Sequence, residues 1–154
     1  MLSTIIAIAG TLLGAIVAGV IQRVNTARAH QESQAVQLRR DKLTAVTEFA
    51  AALDAHRAAM FKRGEAALAG AAEARVEELG ARVQETRAGV SRPLVTLQVL
   101  ISDPAVRGTA DVLVEATLRL REAETAEELT AFRLGAARAH ERFVAAAGAY
   151  FKTA

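Results

Sequence analysis

The sequence predicts an all-α protein with a single N-terminal transmembrane helix followed by an antiparallel bundle of about four helices. Residues 1–21 carry no charged side chain, and later segments repeat apolar residues at intervals of three and four. Ala, Leu, Arg and Glu, which are favourable in a helical backbone, dominate the 154 residues. No stretch shows the sustained alternation of β-branched residues that marks strands, so no sheet is expected.

Residues 1–21 are predicted to be a transmembrane anchor. A helix of this length spans about 31 Å, enough to cross a hydrocarbon core of about 30 Å. A cleaved signal peptide is one alternative, but no basic side chain precedes the apolar run, which is also longer than usual. A buried core helix is another, although a helix that is apolar on every side is hard to cover in a small protein.

Small residues recur every fourth position within the predicted anchor, at Gly10, Gly14 and Ala18. This spacing lets two membrane helices approach closely, so these residues are candidates for transmembrane packing. A lipid-facing helix that is merely rich in Ala and Gly is the alternative interpretation.

Basic residues follow the anchor at Arg23, Arg28, Arg39, Arg40 and Lys42. Basic residues beside a membrane helix tend to stay cytoplasmic, so the N-terminus is expected outside the cell membrane and the C-terminal domain in the cytoplasm. The same side chains are candidates for contact with anionic lipid or with nucleic acid, and topology determination alone is the alternative. Residues 22–40 are expected to form a basic stalk, either helical or as a frayed linker.

Residues 41–154 are predicted to form the Ala-rich bundle. Its first helix has an apolar 3–4 rhythm from Leu43 to Met60 and is expected to end near Gly64, because Gly64 and Gly70 with small residues between them favour a turn. The Ala-rich stretch 66–72 could instead stay helical. A second helix starts near Ala72, and Pro93 is expected to kink or restart it.

The last two helices carry clearer start signals. Asp103 can cap a third helix over about residues 104–121, with Pro104 in its first turn. Its charged residues form a narrow stripe, in which Arg107–Asp111 and Glu115–Arg119 are spaced as ion pairs. A capping box over residues 125–128 begins a fourth helix that continues to the C-terminus.

The sequence carries no recognisable catalytic signature. There is no Cys, and no phosphate-binding glycine loop or nucleophile motif occurs. His30, His56 and His140 have no partner at a ligand spacing on one helix face, so surface or satisfied interhelical histidines are favoured over a metal site or an enzyme using His56 or His140. The prediction is therefore no enzyme, no cofactor, no metal and no small-molecule substrate.

Residues 56–63 combine basic side chains with Met60 and Phe61 near the expected end of the first bundle helix. A contact with a partner or a phosphate is one interpretation. The favoured one places Met60 and Phe61 in the core, with the basic residues complementing the helix dipole.

The order of these features resembles the KilB-like membrane proteins associated with conjugative plasmid spread in mycelial bacteria. The resemblance covers about the first 63 residues: the Ala/Gly/Leu anchor, Ile21-Gln22-Arg23, Arg39-Arg40-Asp41-Lys42 and the segment from Ala55 to Met60. It implies a small integral membrane protein that helps distribute plasmid DNA between compartments.

The functional expectation is a membrane-anchored, non-enzymatic helical protein that assembles with itself or with other membrane proteins. Its part in plasmid spread comes from the resemblance alone. The alternative is a membrane-tethered nucleic-acid-binding protein that uses the juxtamembrane basic segment.

Overall fold

The computed structural model describes the backbone of residues 2–153 and the side chains of residues 33–153. Its helices are α1 (Leu2–Leu68), α2 (Glu73–Leu100), α3 (Pro104–Leu118) and α4 (Ala126–Thr153), and a 3-10 turn, Arg119–Glu122, links α3 to α4. No strand occurs between residues 2 and 153, and the prediction of an all-helical protein with four bundle helices is confirmed. The chain divides into two units, Met1–Arg40 and Asp41–Ala154.

The predicted anchor and stalk both lie in the unit Met1–Arg40. α1 includes residues 22–40, where the sequence left a helix and a linker open. The side chains of residues 1–21, among them Gly10, Gly14 and Ala18, lie outside the described residues, so the anchor stays a prediction. Across residues 33–153, no helical segment is both long and apolar enough to cross a bilayer.

The unit Asp41–Ala154 is held together by a core that all four helices share. Phe49 and Phe143 pack edge to face, with ring centroids 5.2 Å apart and both side chains fully buried. Edge-to-face pairs add to the gain from burying their area. Around this pair lie aliphatic side chains of α1, α2 and α3 and the loop between α2 and α3: Val46, Leu53, Val90, Leu97, Ile101, Val106 and Leu113.

Two contacts show that α4 runs antiparallel to α1. Near the start of the unit, Lys42 donates a hydrogen bond to the Tyr150 hydroxyl at 2.7 Å. Further along α1, the Arg133 guanidinium lies 4.4 Å from the Phe61 ring centroid. The two helices therefore run in opposite directions.

The first bundle helix extends beyond Gly64, where an end was expected, and part of the Ala-rich stretch 66–72 is helical, the alternative that the sequence left open. α1 passes through Gly64, where an added Cβ would lie 3.0 Å from the side-chain methyls of Leu129. The glycine is there for close packing with α4. α1 ends at Leu68, and Gly70, with φ of 67°, provides the left-handed residue that closes the helix. The amide of Ala71 bonds to Ala66 O, and that of Gly70 to Ala67 O, the Schellman pattern.

Pro93 lies inside α2, which continues from Glu73 to Leu100 without a new start. Of the kink or new start expected at this proline, the new start does not occur, and the kink stays a prediction. The two valine positions that follow Pro93 on the solvent side of α2, Val95 and Val99, are exposed.

The predicted start of α3 is confirmed. The Asp103 carboxylate accepts hydrogen bonds from the amides of Ala105 and Val106 at 3.0 and 2.9 Å, and Pro104 is the first helical residue. The expected Arg107–Asp111 ion pair is absent from residues 33–153. Arg107 instead reaches back to carbonyls near the end of α2, donating to Ile101 O at 2.7 Å and to Gln98 O.

The third helix differs from its prediction in two further ways. Its α-helical part stops at Leu118, where the 3-10 turn takes over, before the expected end near residue 121. Within the described residues Glu115 and Arg119 form no ion pair, because Arg119 lies over the Phe132 ring, 5.0 Å from its centroid.

The predicted capping box at the start of α4 is confirmed with one change. The Thr125 hydroxyl accepts from the Glu128 amide at 3.1 Å, as the pattern requires. The Glu128 carboxylate reaches back to the amide of Glu124, at 2.9 Å, one residue earlier than in the usual box.

Candidate functional site: a cavity lined by arginines

The predicted basic contact residues have different environments. The side chains of Arg23 and Arg28 lie outside the described residues. Arg39 and Arg40 are exposed. Lys42 is half-buried, donates to the Tyr150 hydroxyl and lies 5.4 Å from the centre of its ring. Lys42 is therefore part of the folded unit, joining α1 to α4, as well as a member of the basic segment.

A cavity of about 500 Å³ opens between α1, α2, α3 and the 3-10 turn. This size lies within the range of small-molecule sites, about 300–1,000 Å³. Apolar side chains form most of its wall: Leu53, Met60, Ala67, Leu68, Val83, Val90, Leu94, Val114, Leu118, Leu120 and Ala123. The remaining lining residues are His56, Arg63, Gly64, Gln84, Arg87, Ser91 and Arg121.

Arginines from three separate elements converge on this cavity. Arg63 comes from α1, Arg87 from α2 and Arg121 from the 3-10 turn, and the lining contains no Asp or Glu. Within residues 33–153, Arg63 and Arg87 make no ion pair, and Arg121 approaches only Glu122, at 4.0 Å. The cavity is therefore apolar inside and positively charged at its edge.

His56 lies in the wall of the cavity and is 4% exposed. Its Nδ1 is 3.0 Å from the Thr86 hydroxyl, and that hydroxyl donates to the carbonyls of Arg82 and Val83. With its proton used there, the hydroxyl oxygen is placed to accept a hydrogen bond from Nδ1–H of His56. Burial lowers the pKa of His56, and the charge of Arg87 lowers it further.

His56 is thus the satisfied interhelical histidine that the sequence favoured. His140 is half-buried on α4, and His30 lies outside the described side chains. No cluster of three or more His, Cys, Asp or Glu side chains in residues 33–153 is placed to hold a metal ion.

The favoured interpretation of residues 56–63 is half confirmed. Met60 is buried in the core, and Phe61 packs partly buried beside it. The basic residues do not complement a helix end, because α1 continues to Leu68. Arg57 instead pairs with Asp54, while Arg63 faces the cavity.

α2 also presents an exposed aliphatic face. Val95 is 57% exposed and Val99 76% exposed, one helical turn apart. Residues four apart on a helix are neighbours, so the two side chains lie next to each other on one face of α2.

The fold and these sites describe a small all-helical protein whose bundle has an aliphatic outer face and an arginine-lined cavity. The chain belongs to the KilB plasmid transfer protein family, whose model matches residues 43–151. The protein named KilB from Streptomyces lividans is 37% identical over 152 residues, which are 98% of this chain and 99% of that protein. No solved structure gives a significant match.

The comparisons confirm the family that the sequence resembled and extend the resemblance along the chain. The sequence features that carried it fall in about the first 63 residues. The family model matches residues 43–151, which are most of the bundle, and the match to the Streptomyces lividans protein covers the first 63 residues as well.

Proposed function

We propose that this protein is a membrane-anchored, non-enzymatic assembly protein that aids the spread of plasmid DNA between compartments. Membership of the KilB plasmid transfer family supports the process. The observation that carries the assembly role is the exposed pair Val95 and Val99 on α2. The charge-free segment 1–21 supports the membrane anchor.

Exposed valines favour assembly because burying them against a second surface removes apolar area from water. The gain is about 25 cal/mol per Å² of apolar surface. Many core positions of the bundle are alanines, among them Ala110, Ala136 and Ala147, which bury little area each. Association through α2 would add to a modest internal core.

Replacing Val95 and Val99 with Glu tests the assembly surface. Crosslinking of the full chain in its native membrane is expected to show oligomers that the double variant loses, since two carboxylates would have to be desolvated at the interface. Val112→Glu with Val144→Glu is the matched control, because both valines are half exposed on other helices. Oligomers that persist in the α2 variant and disappear in the control would place the interface elsewhere.

The same crosslinking assay measures how much the predicted anchor contributes to the oligomers. Gly10→Leu with Gly14→Leu is expected to weaken the oligomers if the anchor helices pack through their small residues. Unchanged oligomers in this variant would remove the anchor from the assembly mechanism.

The proposed process is tested by replacing the gene with each variant and measuring how far a plasmid spreads through the mycelium. We expect the α2 variant to shorten the distance that a plasmid spreads, and the control variant to leave it unchanged. Equal spread in a strain lacking the protein would refute the plasmid-spread role while leaving assembly intact.

The proposed topology places the N-terminus outside and residues 41–154 in the cytoplasm. The chain has no native cysteine, so a single introduced one reports its own side of the membrane. Ser3→Cys is expected to react with an impermeant maleimide in intact protoplasts, and Thr153→Cys only after lysis. The reverse pattern would invert the orientation that the basic residues predict.

A second candidate function, a membrane-tethered nucleic-acid-binding protein, is favoured by the exposure of Arg39 and Arg40. It predicts DNA affinity that falls steeply with salt and drops when Arg39, Arg40 and Lys42 are neutralised. Lys42→Gln also removes the bond to Tyr150, so Tyr150→Phe is the control for that structural loss. No retention of DNA at low salt would eliminate this candidate.

A further inference from the structure

We propose that the cavity between α1, α2 and the 3-10 turn binds an amphiphile with an anionic head and an apolar tail. This inference stands on the cavity alone and does not require the plasmid-spread role. It assigns a ligand to a place where the sequence indicated no small-molecule substrate. The ligand is bound and not transformed.

The interior of the cavity matches an apolar chain. Leu53, Met60 and Val90 are buried side chains that end at its wall, and Val83 and Leu94 are half-buried beside them. Apolar lining with a few convergent polar groups is the general form of small-molecule sites. An acyl chain in this space would be favourable, because it would remove both its own apolar surface and that of the lining from water.

The edge of the cavity matches an anion. Arg63, Arg87 and Arg121 bring like charges to one opening, and its lining has no carboxylate. The acidic residues Glu73 and Glu77 line a neighbouring hollow that shares only Arg63, Val83 and Gln84 with the cavity. All three arginine side chains are exposed, so water screens their mutual repulsion, and their combined positive potential attracts an anion. Guanidinium groups hold carboxylates and phosphates through two parallel hydrogen bonds, so either head group suits the opening.

The lining also argues against a cationic or purely apolar ligand. A cation would meet the arginines with no acidic side chain to receive it. A purely apolar ligand would match the wall but would make no use of Arg63 and Arg87, which are exposed and form no ion pair in the described part of the chain. An anionic amphiphile matches both parts of the site, because its apolar tail packs against the wall and its head group contacts the arginines.

Photolabelling of the full chain in phosphatidylcholine nanodiscs tests the proposal. The probes are a diazirine-bearing palmitic acid and the corresponding lysophosphatidic acid, with the matching fatty alcohol as an uncharged reference. Proteolysis and mass spectrometry then locate the label. We expect both anionic probes to label residues 53–68 and 83–94 in preference to the alcohol, and the ratio of the two to identify the preferred head group.

Arg63→Gln with Arg87→Gln is expected to reduce this labelling by about tenfold or more, because bonds to charged groups contribute on that order. Arg75→Gln with Arg82→Gln is the matched control, because it also removes two positive charges, both from α2. Those arginines pair with Glu78 and Glu85 on the surface and do not line the cavity. The control variant is expected to label like the unaltered protein.

A second variant keeps the charges and fills the space. Ala67 is an exposed residue at the cavity wall, so Ala67→Phe is expected to block labelling while preserving the helical spectrum. The proposal is overturned if the label avoids residues 53–68 and 83–94. It is equally overturned if the alcohol labels as well as the acids, or if the Arg63/Arg87 variant labels like its control.

Discussion

The two ends of the bundle are built from the same helices but packed differently. At the aromatic end, Phe49 and Phe143 meet edge to face and leave no exposed surface on either ring. At the cavity end, Met60, Leu120 and Leu129 form a smaller cluster beside a space of about 500 Å³. The difference indicates that the aromatic end contributes most of the stability and leaves the cavity end available for binding.

The residues available to fill each end account for this difference. The aromatic end receives large side chains from α1, α2 and α4 together with Ile101 from the loop after α2. At the cavity end, Gly64 and Ala136 bring α1 and α4 close together, while arginines occupy the opening toward α2. Packing density varies along one bundle because small residues determine how closely two helices approach.

Truncation of the aromatic pair is expected to have the largest effect. Phe143→Ala should lower the free energy of unfolding by about 3–5 kcal/mol, because it leaves a cavity where Phe49 lost its partner. Phe132→Ala is the cavity-end control, since Phe132 is half-buried under Arg119, and its cost should be smaller. The measurement is guanidinium unfolding of the full chain in a mild detergent; equal losses would mean that the two ends do not differ.

Removing the helix caps is expected to have a smaller effect. Asp103→Ala should cost about 1 kcal/mol and Thr125→Ala less, since Asp103 accepts from two amides and Thr125 from one. Asp103 caps α3, which starts at the aromatic end, and Thr125 caps α4, which starts at the cavity end. Thermal unfolding compares them, with exposed Asp111→Ala as the control; a larger loss at Thr125 would contradict the comparison.

The pH dependence contributed by His56 is expected to be the smallest effect. Because burial and Arg87 lower its pKa in the folded state below the ordinary 6.5, the unfolded chain takes up a proton first as pH falls. The stabilising contribution is therefore complete above pH 6.5 and is lost as pH falls below it toward the folded-state pKa. His56→Asn should flatten this decline and His140→Asn should preserve it, measured as unfolding midpoints over pH. A decline that His56→Asn leaves unchanged would place its source elsewhere.

Local signals in the sequence predicted local structure well. The Asp103-Pro104 start of α3 and the capping box of α4 depend on residues within four positions of each other, so both could be recognised in the chain. The sequence indicated a turn at Gly64 and Gly70 without deciding between them. Gly70 closes the helix with a left-handed backbone, whereas Gly64 packs against Leu129, which only the fold brings to it.

The cavity could not be predicted for the same reason. Arg63 stood out in the basic segment 56–63, but Arg87 and Arg121 are far from it in the sequence and lie among other charged residues. Only the packing of α1 against α2 and the 3-10 turn brings the arginines together. The spacing of apolar residues predicts which face of each helix is buried. It does not predict where the buried faces of two helices leave a cavity between them.

Amide hydrogen exchange of the full chain, with and without lysophosphatidic acid, tests most directly whether one end maintains the fold while the other binds. We expect the slowest exchange in residues 46–53 and 139–147, and faster exchange in residues 60–68 and 120–129 that slows when the amphiphile is added. Slower exchange at the cavity end than at the aromatic end, or no response of the cavity end to the amphiphile, would contradict the account.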